Sequence, residues 1–257
     1  MTSKPTDYLA AGADWGRGVT RRAFRLRGFE DRVETALEDM CHAMICTLWH
    51  DGQVVTSVEA DFRRYTLQLC PGASEPLKQI VGMPLSTSTS DFFAKGRARQ
   101  NCTHMLDLAW LALRHASRGH IEWLYEIEIP DVLSGPMRGV LQRNGHAVQD
   151  WVVESNVIVS PPALAGQGLT GGFTRWITSA AELSDLAVEE CLLLHKGFFM
   201  TGARQFEIPK GRLPEAYRRA VEGVCFGYGP ERIGEAIGLT GMKRDFSQNP
   251  EKLLRFE

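Results

Sequence analysis

The sequence predicts an α+β fold in which curved antiparallel sheets pack around a central helix, with further helices in the C-terminal third. Two turn signals and one amphipathic segment support this class. Asp51-Gly52 and Asn144-Gly145 each separate two apolar runs, which is the pattern of a β-hairpin. Residues 101–117 instead place apolar side chains at helical spacing. Strand-rich blocks therefore flank a helix on both sides.

The first block is predicted to form strands from residue 20 to Cys70. An alternating run at residues 21–27 opens it, and Asp51-Gly52 turns its main hairpin. The remaining strand-like runs cover residues 33–40, 40–49, 54–62 and 65–69. Cys70-Pro71-Gly72 ends the block.

The chain then becomes helical. Ser74 is a suitable cap for a short helix through residue 81, and Pro76 suits its first turn. A polar loop follows at residues 86–100, and loops of this length are often functional or mobile. Asn101 is the predicted N-cap of the central helix, which runs to about residue 117.

The second block is predicted to begin with an alternating strand at residues 121–129. Residues 137–143 and 147–160 form a hairpin across Asn144-Gly145. The C-terminal helices are predicted at residues 179–199, 214–225 and 230–237.

The predicted organisation is a loosely ordered lead-in at residues 1–18 and a single α+β domain at residues 19–257. Pro161-Pro162 and the glycine-rich stretch after it mark a sub-boundary near residues 161–172. The two β–α blocks do not share turns or motifs, so they do not indicate a duplication.

Composition narrows the function classes. The formal net charge of -2 gives no reason to expect a nucleic-acid partner, and no apolar run is long enough for a membrane span. Six cysteines without regular spacing indicate reduced thiols and a cytoplasmic protein. The basic run at residues 95–99 is either a phosphate contact or a solvated loop.

Cys102 and His104 are the leading candidates for chemistry. A cysteine in the first turn of a helix feels the partial positive charge of free N–H groups, which lowers its pKa and favours the nucleophilic thiolate. Asp107 stands three residues after His104 and is placed to orient the imidazole. The alternative is that Cys102 is a small buried apolar residue.

A metal is the alternative use of the same region. Cys70 ends the last strand-like run of the first block, and together with Cys102 and His104 it would give a three-ligand site suited to zinc or iron. The spacing matches no closed zinc ribbon or finger.

Carboxylates in the first block are candidates for a second proton carrier. On alternating strands Glu38 shares one face with Glu34, Met40 and His42, and Glu59 lies across the hairpin. If this face points inward, Glu38 or Glu59 is a general acid or base. If it points outward, these residues are merely solvated.

Several local motifs resemble a known family. They are residues 33–39, Val58-Glu59-Ala60, Cys70-Pro71-Gly72-Ala73, Leu77, Gly82-Met83-Pro84-Leu85, and Asn101-Cys102-Thr103-His104 through Leu108. This arrangement is similar to the bacterial domain of unknown function DUF2889, over about residues 20–118, and the whole chain resembles its longer members. The resemblance implies that Cys70, Cys102 and His104 matter together, but it implies no reaction.

The expected function is that of an intracellular enzyme acting on a small apolar metabolite, aromatic or acyl. No nucleotide-binding fingerprint is present, so acid/base chemistry of the lyase, isomerase or hydrolase type is expected, with no cofactor. The alternatives are a metal-binding or small-molecule-binding module and a structural or interaction protein. A homo-oligomer is compatible with all three.

Overall fold

A computed structural model describes residues 9–179 and 182–256. Its centre is one antiparallel sheet with the strand order β4-β3-β2-β1-β5-β6-β7-β8. The strands are β1 (Val19–Gly28), β2 (Arg32–Asp39), β3 (Ala43–His50), β4 (Val55–Arg64), β5 (Glu122–Pro130), β6 (Met137–Arg143), β7 (His146–Glu154) and β8 (Val157–Ser160). Because β1 pairs with both β2 and β5, the two predicted β blocks form one continuous sheet.

Two long helices accompany the sheet, together with several short ones. The helices are α1 (Ser74–Leu77), α2 (Thr89–Phe93), α3 (Arg97–Gln100), α4 (Thr103–Ala116), α5 (Phe173–Ser179), α6 (Asp185–Met200), α7 (Gly202–Gln205) and α8 (Glu215–Val221). A small second sheet pairs β9 (Gly211–Arg212) with β10 (Ile237–Gly238). The predicted α+β class, with an antiparallel sheet and C-terminal helices, is confirmed.

Both predicted hairpins are present. At the second one, Asn144 and Gly145 have φ values of 50° and 79°, the left-handed conformation that a tight two-residue turn between strands requires. The Asn144 side chain also accepts a hydrogen bond from the backbone N–H of Leu124 on β5. The turn therefore fixes the β6–β7 register and ties it to the neighbouring strand.

The structure differs from the sequence prediction at several element ends. The central helix begins one residue later than expected, with Cys102 as its N-cap. The helix expected at residues 179–199 is instead α5 followed by α6, because the Ser184 hydroxyl accepts the N–H of Ala187 and starts α6 there. Residues 65–69 are not a strand, and residues 230–237 form only a short 3₁₀ turn before β10.

The main core lies between one face of the sheet and the two long helices. Helix α4 packs on β1, β2 and β3, and α6 packs on β5, β6 and β7. Phe24 and Tyr125, which face each other across the β1–β5 pair, are buried at the centre. The Thr35 hydroxyl donates to the Leu108 carbonyl at 3.0 Å, which joins β2 to the middle of α4.

The opposite face of the sheet is partly covered by the C-terminal tail. Leu254 packs against Ala23 and Ala36 there. Of the predicted lead-in, residues 1–8 lie outside the described residues. The rest makes defined contacts: Ala11 pairs with Phe206, and the N–H groups of Gly16 and Gly18 donate to Asp131.

Candidate functional site

A cavity adjoins the two long helices. It has a volume of about 700 Å³ and is bounded by α2, α3, α4, α5 and α6. Apolar side chains form most of its walls: Phe93, Leu106, Trp110, Leu192 and Leu193. A cavity of this size, in which apolar walls are combined with polar groups, is typical of small-molecule sites.

The polar groups inside this cavity centre on one ion pair. Asp107 of α4 bonds Lys196 of α6, and the carboxylate is almost completely buried. The Lys196 ammonium also lies 5.5 Å from the centre of the Phe93 ring. The pair therefore joins the two long helices at the cavity wall and places a carboxylate beside an ammonium group where a ligand can contact both.

The polar loop predicted at residues 86–100 forms part of the wall. The Ser88 hydroxyl caps α2 by accepting the N–H of Asp91, and a left-handed turn at Lys95 and Gly96 leads into α3. Arg97 donates to the carbonyls of Asp91 and Phe92 at 2.6 and 2.7 Å. These bonds hold α2 and α3 together as one cover over the cavity.

A second polar cluster begins one turn earlier on α4. His104 stacks on His42, with ring centres 3.8 Å apart. His42 in turn bonds Asp39 through Nδ1 at 3.0 Å. These three residues form the one set of three metal-ligating side chains, within the described part of the chain, whose donor atoms all lie within 4.8 Å of one another.

Asp39 is anchored by the backbone as well as by His42. Its Oδ1 accepts the N–H groups of Cys41 and His42, each at 2.8 Å. The Arg22 guanidinium lies 3.5 Å from its Oδ2. Burial alone would raise the pKa of Asp39, but His42 and Arg22 hold it well below its usual range, so the side chain is a carboxylate.

His104, unlike the ionised Asp39, is uncharged. Burial lowers the pKa of His104 well below its ordinary value, and the neighbouring His42, Arg22 and Lys196 lower it further. The imidazole is therefore neutral at neutral pH and has a free lone pair. His104 lies three residues before Asp107, on the same side of α4.

The predicted carboxylates Glu38 and Glu59 lie away from this cluster. Asp39 accepts the N–H groups of the next turn, so β2 ends there and the alternation assumed through His42 stops. Glu38 alternates with Leu37, which is buried in the main core, so it lies on the outer face, where it bonds Arg64 at 3.0 Å and the N–H of Leu254 at 2.7 Å. Glu59 is exposed on β4.

The predicted cysteines do not form a reactive site with His104. Cys102 is buried in the main core, and burial raises the pKa of its thiol, against the lowering expected from the helix N-terminus. Cys70 is close enough to raise it further, and burial raises the pKa of Cys70 itself to about 11. Positions two apart face different directions, so His104 turns to His42 while Cys102 packs inward. The predicted metal set of Cys70, Cys102 and His104 is therefore not assembled.

Asp107 was predicted to orient His104, but its partner in the structure is Lys196. Sequence reasoning missed Lys196, Asp39 and Arg22. Arg22 had a usable signal: alternation along β1 places it on the same buried face as Phe24 and Leu26. Lys196 had none, because 89 residues separate it from Asp107.

Comparison with known proteins gives no match to a family model, to a curated protein or to a solved structure. The similarity to DUF2889 therefore stays a prediction. None of the helices in the described ranges has the length and apolar character needed to cross a bilayer.

Proposed function

We propose that this protein is an enzyme that binds a small, largely apolar aromatic or acyl metabolite in the cavity between α4 and α6. The observation that carries the proposal is the buried Asp107–Lys196 pair in a 700 Å³ cavity whose other walls are mainly apolar. A buried carboxylate beside a cation is a common arrangement for moving protons on a bound substrate.

In this proposal Asp107 is the acid–base group and Lys196 stabilises negative charge that develops on the substrate. Neutral His104 lies one turn away on the same side of α4, where it stacks on His42. The chemistry is of the lyase, isomerase or hydrolase type, which needs no nucleotide. Cys102, Glu38 and Glu59 take no part, since the first is buried in the core and the other two lie on the far face of the sheet.

A cytoplasmic location belongs to the same proposal. All six cysteines are free, and the buried ones are spread through the core rather than paired. Free thiols in this number are typical of a reducing compartment.

The test is a substrate screen followed by blocking of the cavity. Wild-type protein is incubated with panels of acyl and aromatic esters, enoyl compounds and hydroxy acids, and products are detected by mass spectrometry. Ala98→Trp places a large side chain in the cavity from its partly exposed wall, and we expect it to abolish turnover. Ala163→Trp, at an exposed alanine away from the cavity, is the control and should retain activity. Full activity in Ala98→Trp would contradict the proposal.

The second candidate function, a metal-binding module, is favoured by the Asp39, His42 and His104 set. Two imidazoles and a carboxylate suit zinc or iron(II). The nearby Arg22 guanidinium and the two backbone N–H bonds to Asp39 count against it, because they already satisfy and neutralise the carboxylate.

Elemental analysis of protein purified without chelator and then reconstituted with Zn²⁺ decides between the two. A metal module holds about one equivalent, loses it in His42→Gln and keeps it in Cys102→Ser. The metal-binding candidate is eliminated if wild-type protein contains no metal after reconstitution. It is also eliminated if the His42→Gln variant still binds the metal.

A further inference from the structure

We propose that the ligand of the α4–α6 cavity carries an anionic group, a phosphate or a carboxylate, which Arg99 and Arg175 bind. This inference rests on the proposed function, because it names the class of molecule that the same cavity takes. It also assigns a role to the basic run at residues 95–99, which the acid–base chemistry does not use.

The charge balance of the cavity wall favours an anionic ligand. Three cationic side chains contribute to it, Arg99, Arg175 and Lys196, against a single carboxylate, Asp107. Lys196 is paired with Asp107, so the lining keeps two positive charges. In the described ranges, the guanidinium groups of Arg99 and Arg175 form no hydrogen bond and no ion pair with another side chain. A ligand that brings negative charge balances this wall, whereas a neutral one leaves it unbalanced.

The two arginines of the short helix α3 differ in their bonding. Arg97 is committed to the structure, since its guanidinium donates to the carbonyls of Asp91 and Phe92. Arg99 is exposed, lines the cavity and makes no such bond. The cover formed by α2 and α3 is thus held by Arg97, which leaves Arg99 on a fixed support with all its donors available.

The two free guanidinium groups come from different helices. Arg99 belongs to α3 and Arg175 to α5, and both line the same cavity. Guanidinium groups bind phosphate and carboxylate oxygens through paired, charge-assisted hydrogen bonds. Together with the apolar wall around Trp110, they define an amphipathic ligand with an apolar body inside and an anionic group beside the two arginines.

The test compares three probes that share one apolar body: 4-phenylbutanol, 4-phenylbutyrate and 3-phenylpropyl phosphate. Binding to the full-length protein is measured by calorimetry at fixed ionic strength. We expect at least one of the anions to bind roughly 10-fold more tightly than the alcohol, since charged hydrogen bonds are worth more than neutral ones. The better of the two anions identifies carboxylate or phosphate as the source of the charge.

Matched variants locate the effect. Arg99→Gln and Arg175→Gln should each weaken anion binding several-fold and leave the alcohol unchanged. Arg212→Gln removes an equally exposed arginine outside the cavity and should change neither. Equal affinity for the alcohol and both anions, or equal losses in Arg212→Gln, overturns the inference. If the alcohol binds and Ala98→Trp abolishes its binding, the proposed function still stands. If none of the three probes binds, the result counts against both the proposed function and this inference.

Discussion

In both halves of the sheet one long helix packs across three strands, but the buried polar residues of the two helices have different partners. In the N-terminal half, α4 covers β1 to β3; its half-buried His104 stacks on His42, and its buried Asp107 lines the cavity. In the C-terminal half, α6 covers β5 to β7, and its buried carboxylates Glu189 and Glu190 are committed to neighbouring arginines.

The bonding partners explain this contrast. Glu189 receives two hydrogen bonds from Arg118 and one from the Tyr125 hydroxyl, so both of its oxygens are satisfied within the protein. Asp107 has a single partner, Lys196, and lines a cavity. Fully satisfied polar networks rigidify a structure, whereas a carboxylate with free acceptor capacity beside a cavity is available for chemistry. The C-terminal half therefore acts as the support, and Lys196 is its contribution to the site.

The largest expected effect is the loss of the Glu189 network. Glu189→Ala leaves the Arg118 guanidinium and the Tyr125 hydroxyl without their buried partner, and we expect the free energy of unfolding to fall by about 3–5 kcal/mol. Urea denaturation measures this. Glu154→Ala, at an exposed carboxylate on β7, is the control and should stay within about 0.5 kcal/mol. A small effect at Glu189 would mean that the C-terminal half does not depend on this network.

The next effect concerns acid sensitivity of the C-terminal half. Burial lowers the pKa of His195 from 6.5 to about 4, and its Nε2 bonds the Leu169 carbonyl. Between these pH values the unfolded chain binds the proton and the folded chain does not. Stability should therefore fall as the pH drops from about 6.5 to about 4, by roughly 3 kcal/mol for this group.

Denaturation at several pH values checks this, with His195→Gln compared with wild type. The variant should show a shallower pH dependence of the unfolding free energy, with a remainder from His104 and His115, whose pKa values are also lowered by burial. His146→Gln changes an exposed histidine and should leave the slope as in wild type. An unchanged slope in His195→Gln would show that this histidine titrates normally in the folded protein.

The smallest expected effect is at Glu59, the exposed carboxylate of the N-terminal half. Glu59→Gln should change stability by less than about 0.5 kcal/mol and leave turnover of an identified substrate as in wild type. Denaturation and initial-rate measurements on the same preparation test both points. A large loss of turnover would show that a residue on the outer face of the sheet takes part in the reaction.

The fold could be predicted from the sequence wherever a local sequence signal determines the structure. Asp51-Gly52 and Asn144-Gly145 determine their own turns, and alternation along β1 and β5 reports their buried faces. The candidate site could be predicted only in part. His104 and Asp107 were identified because they stand near the start of an amphipathic helix, but their partners His42 and Lys196 come from elements distant in sequence.

The cysteines show why the remaining predictions failed. The partial charge at a helix N-terminus lowers the pKa of a cysteine only when the thiol keeps its solvation, and the sequence does not reveal that Cys102 is buried. Glu38 faces outward because it alternates with the core residue Leu37, and the turn that begins at Asp39 brings His42 to the inner side, against His104. The burial of Cys102 and the turn at Asp39 both depend on contacts between residues that are distant in sequence.

The most direct test of the central claim is the kcat/KM of Asp107→Asn on a substrate identified by the screen. Asparagine keeps the size of the side chain and removes its proton chemistry. The account predicts a loss of at least about 100-fold, as expected for removal of a general acid or base, with binding of 4-phenylbutanol retained. Cys102→Ser should remain within a few-fold of wild type. Near wild-type turnover in Asp107→Asn, or loss of turnover only in Cys102→Ser, would contradict it.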